Sequence, residues 1–117
     1  MQEQACRALF WIAMNHDNQV AIAKAGSIPV VVAVLQQHPT HTGVQKQACK
    51  ALVWITRGND DNWVAMAKAG GIHVVVTALQ QHLTHVGVQE EACKVLNQVA
   101  TMLATRRPRP RQVVLMS

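Results

Sequence analysis

Two histidine pairs, three cysteines and two tryptophans are the residues of this chain whose types and spacing could carry chemistry. His38 with His41 and His82 with His85 stand at His-x-x-His spacing, and imidazoles so placed can supply two ligands to zinc. A zinc site needs three or four ligands. Neither pair has a cysteine or carboxylate close in sequence, so no metal site is expected. Cys6, Cys49 and Cys93 offer thiols, but their intervals of 43 and 44 residues make them one position repeated rather than a clustered ligand set or disulfide framework. They are expected to be free, small apolar fillers of a helix flank. Trp11 and Trp54 each follow a cation, Arg7 or Lys50, by four residues. On a helix that spacing lets the cation lie over the indole face, and exposed tryptophan beside cations is the residue mix of binding hot spots.

The elements that must position these groups come in copies. Gln-Ala-Cys occurs at 4 to 6 and 47 to 49, and Glu-Ala-Cys at 91 to 93. Aligning Gln2 to Val44 with Gln45 to Val88, with one inserted residue near Asp61, gives 28 identities in 43 positions. Each copy reads as three helices. A short first helix opens at Asn18, or at Asp61 and Asn62, and ends at Lys-Ala-Gly, where Gly26 or Gly70 can take a left-handed conformation. Asp17, Asp60 and Asp61 suit its positive N-terminal end. The second helix carries Pro29 in its first turn and runs to about His38, with its equivalent from about Ile72 to His82. The valine runs inside it also fit buried strands by periodicity, and the helical neighbours decide for helix. The third and longest helix runs from after Gly43 to about Arg57, with copies at the chain start and from about Val88 to Thr105. The histidine pairs fall in the turn between the second and third helices, where Gly43 and Gly87 punctuate.

Placed at 100° per residue, each third helix has two arcs. Ala5, Ala8, Leu9 and Ile12 form one, as do Ala48, Ala51, Leu52 and Ile55, then Ala92, Val95, Leu96 and Val99. These are the expected core. The opposite stripe holds Glu3, Arg7 and Trp11, then Lys46, Lys50 and Trp54, then Glu90, Lys94 and Gln98. It is polar apart from its tryptophans, which either pack on a neighbouring repeat or face a ligand.

The pattern Asn-x-x-x-Ile-Ala-x-Ala-Gly-x-Ile-Pro, followed by Val-Gln-x-x-Ala-Cys-x-Ala-Leu-x-x-Ile, resembles armadillo repeats of the importin alpha, beta-catenin and Vac8-like type, over residues 1 to about 104. The resemblance implies an all-α fold, a right-handed α-solenoid of two complete three-helix repeats plus a leading third helix. The armadillo-repeat domain would span 1–105, with a lone third helix at 1–14 and repeats at 17–57 and 60–104. It also implies a protein-interaction scaffold that binds an extended peptide in the concave groove of the third helices. Importin-like repeats carry a tryptophan there and an asparagine four residues later. These positions here hold Arg7 and Trp11, Lys50 and Trp54, Lys94 and Gln98. The groove therefore suits an acidic or mixed-charge segment rather than a basic import signal, with Trp11 and Trp54 as anchors and Arg7, Lys50 and Lys94 as anion contacts. Glu3, Lys46, Glu90 and Gln98 complete the stripe.

The formal net charge is +5, but four basic residues, Arg106, Arg107, Arg109 and Arg111, lie in a Pro/Arg tail at 106–117. The remaining seven basic and six acidic residues leave the body near neutral, so phosphate binding is a question for the tail alone. The longest apolar run, Ile28 to Leu35, falls far short of a membrane span, and no signal peptide is readable, so an intracellular protein, cytoplasmic or nuclear, is the expectation. No glycine-rich phosphate loop, paired carboxylates or Ser/His/Asp set stands outside the repeats, so neither catalysis nor a cofactor is expected. Two other readings remain. Repeats bury their faces by stacking, and neither end carries a polar cap, so the chain could self-associate through its solenoid ends. The Arg-rich tail could contact nucleic acid.

Overall fold

Asparagine caps, left-handed glycines and histidine turns divide the chain where its repeat does. A computed structural model describes residues 2–106, which form seven helices and no strand. They are α1 (Gln2–Ala13), α2 (His16–Lys24), α3 (Ser27–Gln37), α4 (Thr42–Thr56), α5 (Asp60–Lys68), α6 (Gly71–Gln81) and α7 (Val86–Arg106). The Arg-rich tail expected at 106–117 lies outside the described residues, apart from Arg106 at the end of α7.

Asn15 caps α2 by accepting from the Asp17 N–H at 2.9 Å, and Asn59 caps α5 by accepting from the Asn62 N–H at 3.0 Å. The first helices thus begin ahead of Asn18 and Asp61, because an asparagine one turn earlier already satisfies their free N–H groups. Equivalence of the two caps also moves the inserted residue from near Asp61 to the turn before Asn59, where Gly58 takes a φ of +64°. Gly26 and Gly70, at φ +88° and +86°, end α2 and α5, and α3 leaves α2 at a bend of 75°.

The histidine turns work the same way in both copies. His41 Nδ1 accepts from the Val44 N–H, and His85 Nδ1 from the Val88 N–H, both at 3.1 Å. The Gln45 amide donates to the Leu35 and His38 carbonyls, and the Gln89 amide to those of Leu79 and His82. Carbonyls left unpaired at the ends of α3 and α6 are thereby satisfied. His82 Nε2 donates to the Pro39 carbonyl at 2.7 Å and ties one turn to the other. The imidazoles serve the backbone, and among the described residues no group of three or more His, Cys, Asp or Glu could hold a metal ion.

Packing puts α4 between α1 and α7, while α3 lies against α4, α5 and α6. Val44, Ala48, Cys49, Ala51, Leu52, Val53 and Ile55 are all buried, so α4 is covered on both flanks. The helices beside it are covered on one. α1 buries Cys6, Phe10 and Ala13 toward α4 and leaves Ala5, Ala8 and Ile12 exposed, with Leu9 only partly covered. The arc expected as core in the first copy is therefore surface, because no described helix lies against it. α7 buries Val88, Ala92 and Val95 toward α4 and exposes Cys93, which was expected to fill a core gap.

Buried amides join the copies. Asn62 Nδ2 donates to the Ile55 carbonyl at 2.8 Å and to the Gln19 carbonyl at 3.2 Å. Gln19 Nε2 donates to the carbonyls of Trp54 and Arg57 at the end of α4. No single described helix is long and apolar enough to cross a membrane.

Candidate peptide-binding face

Because α1, α4 and α7 lie side by side, the residues at 3, 7 and 11 and their equivalents form one face. Two side chains of this face lie directly over glycines of the neighbouring helix. A Cβ on Gly43 would sit 2.7 Å from Glu3 Oε1, and one on Gly87 would sit 3.0 Å from Lys46 Cδ. Glu3 thus rests its carboxylate on the first turn of α4, where the helix dipole favours an anion. Lys46 lays its stem over the first turn of α7. Both expected stripe residues are half-buried and act at the joints between helices.

The centre of the face is aromatic. Phe10 is buried with its ring centre 5.1 Å from that of Trp11 and 5.8 Å from that of Trp54. Lys50 Nζ sits 4.5 Å from the Phe10 centroid, and the Arg57 guanidinium carbon 4.3 Å from the Trp54 centroid. The cation contacts expected within a helix, Arg7 on Trp11 and Lys50 on Trp54, are replaced by one across helices and one from the residue three beyond Trp54. Trp11 is 61% exposed, whereas Trp54 is half-buried against the core. The two tryptophans therefore divide between the two readings open to them in sequence.

Two open clefts flank this aromatic row. One, of about 290 Å³, lies between α1 and α4 and is lined by Arg7, Phe10, Trp11, Gln47 and Lys50. The other, also about 290 Å³, is walled by Arg57, Asn59, Trp63, Gln98 and Met102 among others, between the turn after α4 and the outer end of α7. The Gln98 amide is already engaged: it donates to the Val53 carbonyl and Thr56 Oγ1 at 3.0 Å and accepts from Arg57 Nε at 3.2 Å. Lys94 pairs with Glu91 at 3.4 Å while remaining 56% exposed. Glu90 is exposed, and Arg7 is exposed at the rim of the first cleft.

Sequence reasoning missed Phe10, Arg57 and Glu91. Phe10 is the only phenylalanine of the chain and stands beside Trp11, a signal that was available. Glu91 is 5% exposed because it occupies the position of the buried Gln47. The thiols of Cys6 and Cys49 are inert packing groups. Burial raises both, and Cys49 is pushed up to about 12, first by desolvation, then by Glu91 and Cys6 nearby.

The arrangement can grip an aromatic or aliphatic side chain against Trp11 and Phe10 while Arg7 and Lys50 hold a carboxylate. Compared with known proteins, the chain matches no family model, no curated protein and no solved structure.

Proposed function

We propose that the chain is an armadillo-type right-handed helical solenoid that binds an extended, acidic or mixed-charge peptide segment across the face of α1, α4 and α7, without catalysis. The observation that carries this reading is Trp11, which stands largely exposed on a buried phenylalanine between Arg7 and Lys50. A large exposed aromatic supported by a rigid base and bordered by cations has the make-up of a binding hot spot. The three-helix copies, the left-handed glycines between first and second helices and the lateral packing of third helices support the architecture.

Relative to the stripe read from sequence, the contact residues narrow to Arg7, Trp11 and Lys50, with Phe10, Gln47, Trp54 and Arg57 as their support. Glu3, Lys46 and Gln98 act in helix joints. Lys94 and Glu90 stand at the outer edge.

Fluorescence anisotropy with labelled ten-residue peptides, one series rich in Asp and Phe and its counterpart rich in Lys and Phe, tests the proposal. The acidic series is expected to bind more tightly and to weaken with salt, and Trp11→Ala to lower affinity by tenfold or more. Equal binding of both series, or a Trp11→Ala chain that binds as well as the parent, would reject it.

A further inference from the structure

The joint of α1 with α4 and the joint of α4 with α7 differ in one charge. Arg7, Trp11, Gln47 and Lys50 wall the cleft at the first. One repeat later the same positions hold Lys50, Trp54, Glu91 and Lys94. By position, each joint has two cations and a tryptophan, and the two part at Gln47 and Glu91. Glu91 is 5% exposed, and its carboxylate holds Lys94 at 3.4 Å, three residues along the same helix. The second joint thus supplies its own anion. Lys50 stands three residues beyond Gln47 in the same way, but a neutral amide gives it no ion pair. Glu3, the acid of α1, rests on Gly43 and forms no ion pair with Arg7 among the described residues.

Gln47 is also short of a partner. It is 8% exposed and lines the cleft beside Arg7 and Lys50, yet among the described residues its side-chain amide makes no hydrogen bond. Gln19, Gln45, Gln89 and Gln98 all donate theirs to carbonyls. A buried amide is ordinarily paired, because desolvation without a partner is costly.

On the peptide-binding reading, on which this rests, we infer that Gln47 decides where an acidic ligand sits: its amide N–H donates to a carboxylate of the bound segment, held between Arg7 and Lys50. A carboxylate there completes two charges and one amide at once, and charge-assisted bonds of this kind are the strong ones. The apolar or aromatic group next to that carboxylate then lies on Trp11. At the second joint the same place is taken by the carboxylate of Glu91, which repels a ligand carboxylate as it satisfies Lys94. The acidic residue of the segment is therefore seated at the joint of α1 and α4 and excluded from that of α4 and α7.

Amide NMR spectra of the isotope-labelled full chain, titrated with N-acetylphenylalanine and with N-acetylphenylalaninamide, test this directly. The first compound carries a carboxylate and the second an uncharged amide in its place. The Gln47 side-chain amide signals, identified by their loss in Gln47→Glu, are expected to shift with the acid and to stay in place with the amide. Gln47→Glu should keep the helicity of the parent, since its equivalent Glu91 already occupies a helix interior. It should bind the Asp/Phe peptides about tenfold or more weakly and the Lys/Phe peptides no more weakly than the parent. Gln47 signals that move with neither compound, or with both alike, would overturn the inference. So would a parent chain that binds the Asp/Phe peptides and loses none of that affinity in Gln47→Glu, a result that leaves the peptide reading standing. Signals that shift with the acid in a chain that binds no Asp/Phe peptide would support the carboxylate seat and reject the extended-segment reading alone.

Discussion

The ammonium of Lys50 rests 4.5 Å from the centre of the Phe10 ring, so the cation of α4 contacts the aromatic of α1 and not the indole four residues along its own helix. Phe10 fills the gap between the two helices, and its ring meets Trp54 as well. Burial of the Phe10 ring keeps water from competing for the half-buried cation over it, which strengthens the contact. The same ring supports Trp11 from beneath, which links the stability of the α1 to α4 joint to the shape of the proposed binding face.

Phe10→Ala is expected to destabilise the chain by about 3 kcal/mol or more, as for a large aromatic removed from a packed joint. Lys50→Met keeps the apolar stem and removes the charge, and is expected to lose about 0.5–1 kcal/mol. Urea unfolding followed by circular dichroism separates the two. A Lys50→Met chain as stable as the parent would show that the ring matters to Lys50 only as a packing surface.

The two tryptophans should part under substitution. Trp11→Ala removes an exposed side chain and should alter stability by no more than about 0.5 kcal/mol while lowering peptide affinity. Trp54→Ala removes a half-buried ring packed on Phe10 and Arg57, and is expected to cost roughly 2 kcal/mol, less than a fully buried aromatic. Thermal unfolding beside peptide titration reads both effects, and a Trp54→Ala chain as stable as Trp11→Ala would contradict the packing described.

Asn18 and Asn62 are equivalent by repeat and opposite in environment. Asn62 is buried and donates to the Ile55 and Gln19 carbonyls, so Asn62→Ala removes both of these bonds and should cost about 2–3 kcal/mol. Asn18 is exposed, and Asn18→Ala should stay within about 0.5 kcal/mol. Denaturant midpoints of the two variants check the contrast directly.

The thiols give a pH dependence. Cys49 has a pKa of about 12 in the folded chain against an ordinary value of 9.0, so above pH 9 the unfolded chain releases this proton before the folded one does. Bound protons are then fewer in the unfolded state, and the contribution of Cys49 to stability is lost as pH rises from 9 toward 12. Cys49→Ala should flatten that slope in unfolding experiments on the alkaline side. At neutral pH in native buffer, one thiol per chain, Cys93, is expected to react with a disulfide reagent. Cys6 and Cys49 should follow only on unfolding.

Much of the fold was legible because repetition turns local signals into checked ones. The left-handed glycines, the lysine before each and the histidine turns recur at matching places, and a helix read in one copy constrains its partner. The caps were misplaced because Asn15 and Asn18, one turn apart, are both competent N-cap residues, and backbone geometry chose the earlier. The stripe was legible as a face, since 100° periodicity depends only on the helix. Its contacts were not, because Lys50 found Phe10 and Arg57 found Trp54 through side-chain reach and packing between helices.

By itself the sequence determined seven helical segments, the equivalence of third helices and the register that puts Arg7, Trp11, Lys50 and Trp54 on one side, since each follows from propensity, capping and period. Only the tertiary structure decided which side of a helix is interior. Ile12 and Ile55 each follow a tryptophan at equivalent positions and have opposite exposure, as do Cys49 and Cys93, each between alanine and lysine, because burial is a property of what packs against a residue. The residue alone does not carry it.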